Sequence, residues 1–123
     1  MIVIYHNPES SESNACLEIL ETYKHDHEVI KYQDKLLDKE KLIKIINILN
    51  VKPEELIRKE SKIWKDNFKH LEDDGHKFKD DNLIDIMIEY QDLIERPIVI
   101  NGEKAVIGKP AKRIFDIIPQ QKS

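Results

Sequence analysis

The chain has 123 residues, 40% of them hydrophobic, which suits one domain with its own buried core and calls for no second. Charged side chains make up 36% with both signs interspersed, and the net charge of -4 supplies no electrostatic draw toward nucleic acid or an anionic membrane surface. Cys16 is the single cysteine, which excludes an intramolecular disulfide and a thiolate-rich zinc site, so any two-thiol cycle needs an outside partner.

In chain order, Met1 to Tyr5 reads as a buried strand that Asn7-Pro8 breaks. No basic region or cleavage site precedes it, and no apolar run approaches the roughly 20 residues of a bilayer span, so the expected location is cytoplasmic. A helix should follow at once. Ser10 or Ser11 can cap it, Glu12 suits the positive end of its dipole, and Cys16, Ile19, Leu20 and Tyr23 share one face. After the polar turn Lys24-His25-Asp26, the segment Glu28 to Tyr32 reads as a second strand, which implies a parallel pair with a right-handed crossover.

Asp38 opens a periodic helix through Leu42, Ile45, Ile46 and Leu49. Pro53 at a first helical position starts another through Leu56 and Ile57, and Ser61 with Ile63 and Trp64 marks a further short one. Glu72-Asp73-Asp74-Gly75 reads as a turn, then Asp80 or Asp81 as the cap of a helix with Leu83, Met87 and Tyr90 on its core face. Leu93 to Ile100 and Lys104 to Ile107 are β-prone runs flanking Asn101-Gly102, the pattern of a type I′ hairpin. Gly108-Lys109-Pro110 leads into a last helix with Ile114, Phe115 and Ile117 facing inward, ended by Pro119. The order β-α-β, helices, β-β-α is that of an α/β domain spanning 1–123. It predicts a mixed four-stranded, thioredoxin-like (glutaredoxin-like) sheet with a helical insertion at about 38–92, between strands two and three.

Four stretches carry a resemblance over nearly the whole chain: Ile4-Tyr5-His6-Asn7-Pro8, Leu56-Ile57-Arg58-Lys59, Asp80 to Met87, and Ile94-Glu95-Arg96-Pro97-Ile98-Val99. Together they resemble the ArsC/Spx family, especially its glutaredoxin-coupled arsenate reductases. The resemblance implies that Pro97 is a structural cis-proline beside the active loop. It also implies that a cysteine at the start of the first helix attacks arsenate as a thiolate, with arginines holding the oxyanion and glutathione and glutaredoxin as external reductants. The physical logic is that unpaired amides and the helix dipole lower a thiol's pKa and attract an anion. The position of that cysteine is held here by Ser10, and the second cysteine of Spx-type relatives by Ser13.

Serine forms no comparable anion near neutral pH and takes no part in thiol exchange, so the expectation is impaired or absent thiol-dependent arsenate reduction. Further departures from the family are Glu9 and Glu12 in the anion loop, Asn14 where an arginine is common, and Lys109 in place of a last arginine. Lys109 keeps charge without the bidentate fork. The candidate anion-binding set is therefore Ser11, Ser13, Arg58, Arg96 and Lys109 around Ser10, with Glu9 and Glu12 as candidate internal anions for Arg58 and Arg96. The plainer alternatives are that the serines only cap a helix and the arginines are ordinary surface groups, with Arg96 pairing Glu95 or Asp92.

Cys16 reads as a small core residue, and His6 as a local hydrogen-bonding group. The cluster His70, Glu72, Asp73, Asp74 and His76 fits neither a helical His pair nor a calcium loop and reads as a solvated turn, so no metal site or bound cofactor is expected. Candidate partners are a small oxyanion, glutaredoxin or, by analogy with Spx-like interaction modules, RNA polymerase. Direct nucleic-acid and membrane binding are not expected.

Overall fold

The computed structural model describes residues 1–31 and 34–119. It divides into two compact units, Met1–Leu36 with Arg96–Ser123, and Leu37–Glu95.

The first unit is a four-stranded mixed sheet with one α-helix and a closing 3-10 segment. Strand β1 (Ile2–His6) is central because nearly all of its side chains are apolar and buried. It pairs in parallel with β2 (His27–Lys31) and antiparallel with β3 (Ile98–Asn101), which pairs antiparallel with β4 (Lys104–Ile107), giving the order β2-β1-β3-β4. The predicted second strand ended at Tyr32, which lies outside the described residues. Helix α1 (Ser11–Thr22) joins β1 to β2 and buries Ser13, Cys16 and Leu20. Cys16 and Leu20 pack with Ile2, Ile4 and Val99 from the strands and with Ile114, Ile117 and Ile118 from the last turns. The predicted last helix is 3-10 in form, Ala111–Asp116.

The hairpin is displaced by one residue from expectation. Asn101 and Lys104 are paired, so the turn residues are Gly102 and Glu103, and of these only Gly102 takes a positive φ, of 64°. That is the pattern of a type II′ turn, with glycine first. Asn101 stays in the strand, where its Nδ2 donates to the Ile117 carbonyl at 2.7 Å. Strand β3 is also shorter than predicted at its start. Pro97 has no N–H to give a ladder, and the residues before it form a 3-10 turn, Gln91–Leu93, and an isolated antiparallel bridge between Ile94 and Ile57.

The second unit is helical. Asp38 caps α2 (Lys39–Leu49), its carboxylate accepting from Lys41 N–H at 2.7 Å, and Leu42, Ile45 and Ile46 are buried. Pro53–Leu56 is a 3-10 turn rather than an α-helix. Ser61 caps α3 (Lys62–Asn67), which is followed by α4 (Lys69–Asp73) and α5 (Asp80–Glu89). The predicted turn at Glu72 to Gly75 is thus helical as far as Asp73, supported by a Lys69–Asp73 ion pair at 2.9 Å, and the chain turns at Asp74-Gly75. Lys79, not Asp80 or Asp81, is the N-cap of α5. Its backbone N–H donates to Asn82 Oδ1 at 3.2 Å, which leaves both aspartates in the first turn against the helix dipole. Leu83, Ile84 and Met87 form the buried face, while Tyr90 is half-buried in an aromatic group with Phe68, Trp64 and Phe78.

Candidate functional site

The loop between β1 and α1 is held by its own hydrogen bonds. Asn7 Oδ1 accepts from Glu9 N–H at 3.0 Å, the Asn7 carbonyl accepts from Ser10 N–H at 3.0 Å, and Asn14 Nδ2 donates to the Pro8 carbonyl at 3.0 Å. Asn14 is therefore a staple of the loop. Ser10 is the N-cap: its backbone is extended, its Oγ accepts from Ser13 N–H at 3.3 Å and its carbonyl from Asn14 N–H at 3.0 Å. Since Pro8 has no N–H, the loop amides with no protein acceptor among the described residues are those of Ser11 and Glu12. They point along the positive end of the α1 dipole. The carboxylates of Glu9, exposed, and Glu12, half-buried, stand beside them.

Ser13 faces the other way. It is fully buried, its Oγ accepts from Asn7 N–H at 3.0 Å, and it lies 2.5 Å from His6 Nδ1. His6 is itself buried, and burial followed by the Lys31 ammonium holds its pKa below the usual imidazole value, so the ring is neutral at pH 7. The hydroxyl has one proton to give, and donating it to Nδ1 with the ring protonated on Nε2 satisfies both groups. Ser13 is thus out of reach of an external anion, and its role is to lock the loop to β1. Ser13→Ala leaves the Asn7 amide and the His6 ring without their shared partner. It should lower the unfolding free energy by about 1–3 kcal/mol in urea titrations, and a loss under about 0.5 kcal/mol would show that the pair holds nothing.

Cys16 lies two turns deeper in α1 and is fully buried, its Sγ 3.8 Å from the carbonyls of Gly108 and Ala111. Burial, then the nearby Glu12 carboxylate, pushes its pKa up to about 11. It cannot serve as a thiolate nucleophile at neutral pH.

The Arg96–Pro97 peptide is cis, as is Lys109–Pro110. Arg96 is buried at 7% exposure rather than lying at the surface as its sequence context suggested, and Lys109 is exposed. Arg58 belongs to the helical unit. Its guanidinium contacts the carboxylates of Glu95 at 3.8 Å and Glu60 at 3.9 Å, and its Nη1 donates to the Asp92 carbonyl at 3.3 Å.

In the same unit the acidic stretch expected to be solvated is partly structural. Glu72 accepts from Trp64 Nε1 at 3.1 Å and from Lys59 at 2.7 Å, beside a cavity of about 280 Å³ that Phe78 and Leu83 also line. Among the described residues no group of three or more histidine, cysteine or carboxylate side chains is arranged to hold a metal, and no helix is long and apolar enough to cross a membrane.

Comparison with known proteins connects these features. The ArsC family profile matches residues 5–117. The arsenate reductase of Acidiphilium multivorum is 33% identical over 118 residues, covering 96% of this chain and 81% of that protein. The arsenate reductase of Neisseria meningitidis serogroup A is 34% identical over 117 residues, covering 95% and 97%. Among solved structures, an arsenate reductase from Vibrio cholerae superposes with a TM-score of 0.84 at 31% identity, covering 95% of this chain and 97% of that one. The fold is the α/β, thioredoxin-like fold of arsenate reductases. With a family match over almost its entire length and arsenate reductases more than 30% identical to it, the chain belongs to the ArsC family.

Proposed function

We propose that the protein is an arsenate-reductase-like pseudoenzyme, impaired or inactive in thiol-dependent reduction of arsenate, that keeps part of an oxyanion-binding loop. The observation that carries this reading is at the N-cap of α1. The residue there is Ser10, with its oxygen engaged by Ser13 N–H, and the chain's one thiol is sealed in the core with a pKa of about 11. A hydroxyl at that point can neither attack arsenic as a thiolate nor be regenerated by glutathione and glutaredoxin, the external reductants that the family reading brings with it.

What the loop offers an oxyanion is the Ser10 and Ser11 hydroxyls and the amides of Ser11 and Glu12. Arg96, Lys109 and Arg58 are assigned to the anion through the resemblance alone. Against binding stand the carboxylates of Glu9 and Glu12, so affinity for a doubly charged anion should be weak.

The test is arsenate-dependent NADPH oxidation by the wild-type chain, with glutathione, glutaredoxin and glutathione reductase supplied. The expected rate equals that of the same mixture without the protein. Turnover above that control would overturn the proposal.

A further inference from the structure

Residues 69–77, which comprise α4 and the turn after it, lie almost wholly at the surface of the helical unit. Glu72 is half-buried and the other eight are exposed. The backbone of the segment holds only itself. Outside the turns of α4, Leu71 and Glu72 N–H donate to the Phe68 carbonyl at 3.0 and 3.3 Å. Asp74, Gly75 and His76 N–H donate to the carbonyls of His70, Glu72 and Leu71 at 3.0, 2.9 and 2.9 Å. The Lys69–Asp73 ion pair is internal as well. Among the described residues, one side chain makes a polar tie out of the segment. It is Glu72, whose Oε1 accepts from Trp64 Nε1 at 3.1 Å and whose Oε2 accepts from Lys59 Nζ at 2.7 Å.

The two ends of the segment meet on one ring. Phe68 and Phe78 stand edge-on with centroids 6.3 Å apart, and each packs on Trp64, at 5.1 and 5.6 Å. A span of nine residues whose flanks meet in this way has the form of a compact Ω-type loop. Its base is apolar and firm, but the span above is not packed down. The cavity of about 280 Å³ is lined by Glu72, His76 and Lys77 from the segment and by Glu54, Lys59 and Leu83 from the elements around it. A void alongside and a single polar tie mean that the segment opens at a fraction of the cost of unfolding the unit.

We propose that residues 69–77 form a strap that opens as one piece about the Phe68/Phe78 base while α2 and α5 stay folded, and that the Glu72 carboxylate is its latch. The closed strap shuts off the Nε1 edge of Trp64, which is 1% exposed. The open strap offers that edge and the Lys59 ammonium to small solutes through an enlarged cavity. The opposite reading makes Glu72 an ordinary structural contact, so that the segment comes away only when the whole unit unfolds.

Native-state amide exchange on the full-length, isotope-labelled chain, in urea below the unfolding transition, separates the two. In wild type the Asp74, Gly75 and His76 amides should exchange at rates that do not vary with urea, whereas those of Ile45 and Ile46 in α2 should quicken steeply. Glu72→Ala should speed exchange in the strap about tenfold, the scale of a lost charge-assisted hydrogen bond. Glu72→Gln keeps an acceptor oxygen without the charge and should fall between, which preserves the test if the alanine variant does not fold. Asp73→Asn breaks only the internal pair and should leave strap exchange within about twofold of wild type. Acrylamide quenching of Trp64, the chain's one tryptophan, should rise in Glu72→Ala. A urea slope shared by the strap and α2 would overturn the inference. So would strap exchange that Glu72→Ala leaves unchanged or that Asp73→Asn quickens equally, or quenching that does not rise.

Discussion

Ser10→Cys is expected to turn on arsenate-dependent NADPH oxidation, raising the rate by about 10²-fold or more over the wild-type background, the scale on which removal of a catalytic nucleophile is felt elsewhere. The argument is local. Position 10 is the N-cap of α1, next to the unpartnered amides of Ser11 and Glu12 and at the positive end of a twelve-residue helix. A thiol placed there has its anion stabilised by those dipoles, against which Glu9 and Glu12 work. The contrast lies in the same helix: Cys16, buried and away from the N-terminal amides, has its pKa pushed up to about 11.

Iodoacetamide alkylation provides a second readout that needs no reductant. Ser10→Cys should gain one reactive sulfur whose rate rises with pH to a midpoint below the roughly 8.5 of free cysteine. Cys16 should stay unmodified in the folded chain. A midpoint at or above the free value would mean that the loop no longer activates a thiol. An activated thiol without arsenate turnover would place the defect in anion binding.

The second large effect is on stability. A Cβ added at Gly108 would lie 2.5 Å from Cys16 Sγ and 2.8 Å from Pro97 Cγ, well inside contact distance for both. Gly108 cannot easily retreat, because its N–H donates to the Pro97 carbonyl at 2.9 Å, and a proline ring has no rotamer by which to swing away. Gly108→Ala should therefore cost about 3 kcal/mol, at the upper end of overpacking penalties, read as a lowered urea midpoint. Adding Cys16→Ala removes the sulfur contact and leaves the proline contact, so the double variant should be more stable than the sum of the two single losses. A cost under about 0.5 kcal/mol for Gly108→Ala, or strict additivity, would refute this account of the junction.

Much of the fold was legible because local signals and tertiary packing agree. Asn7-Pro8 ends β1, Ser10 and Asp38 cap their helices as their side-chain oxygens allow, and Leu42, Ile45 and Ile46 face inward at helical spacing. The misses came where a distant partner decided the outcome. Asn101-Gly102 satisfies the rule for one turn type, yet the Ile117 carbonyl draws the Asn101 side chain and keeps that residue in the strand. Lys79 displaced the expected aspartate caps because Asn82 supplies the capping oxygen from inside the helix.

At the candidate site the inward role of Ser13 carried a readable sign. It stands three residues before Cys16 and seven before Leu20, on the buried stripe of α1 rather than with Ser10 and Ser11. The carboxylates around Arg58 had a weaker one. Glu60 is close in sequence, but Glu95 is brought near by a bridge between segments more than thirty residues apart, and no periodicity announces such a pairing.

One clasp in the helical unit has an architectural consequence. The Gln91 carboxamide accepts from Leu37 N–H at 2.9 Å and donates to the Leu37 carbonyl at 2.8 Å, so the point where the chain enters this unit is tied to a point just before it leaves. A segment whose two ends meet behaves as a cassette. Lengthening or trimming its interior leaves the attachment points where they were, and the entropic penalty of closing it grows only with the logarithm of its length. Evolutionary tinkering can therefore remodel one half of such a molecule while the strands that flank the cassette keep their register.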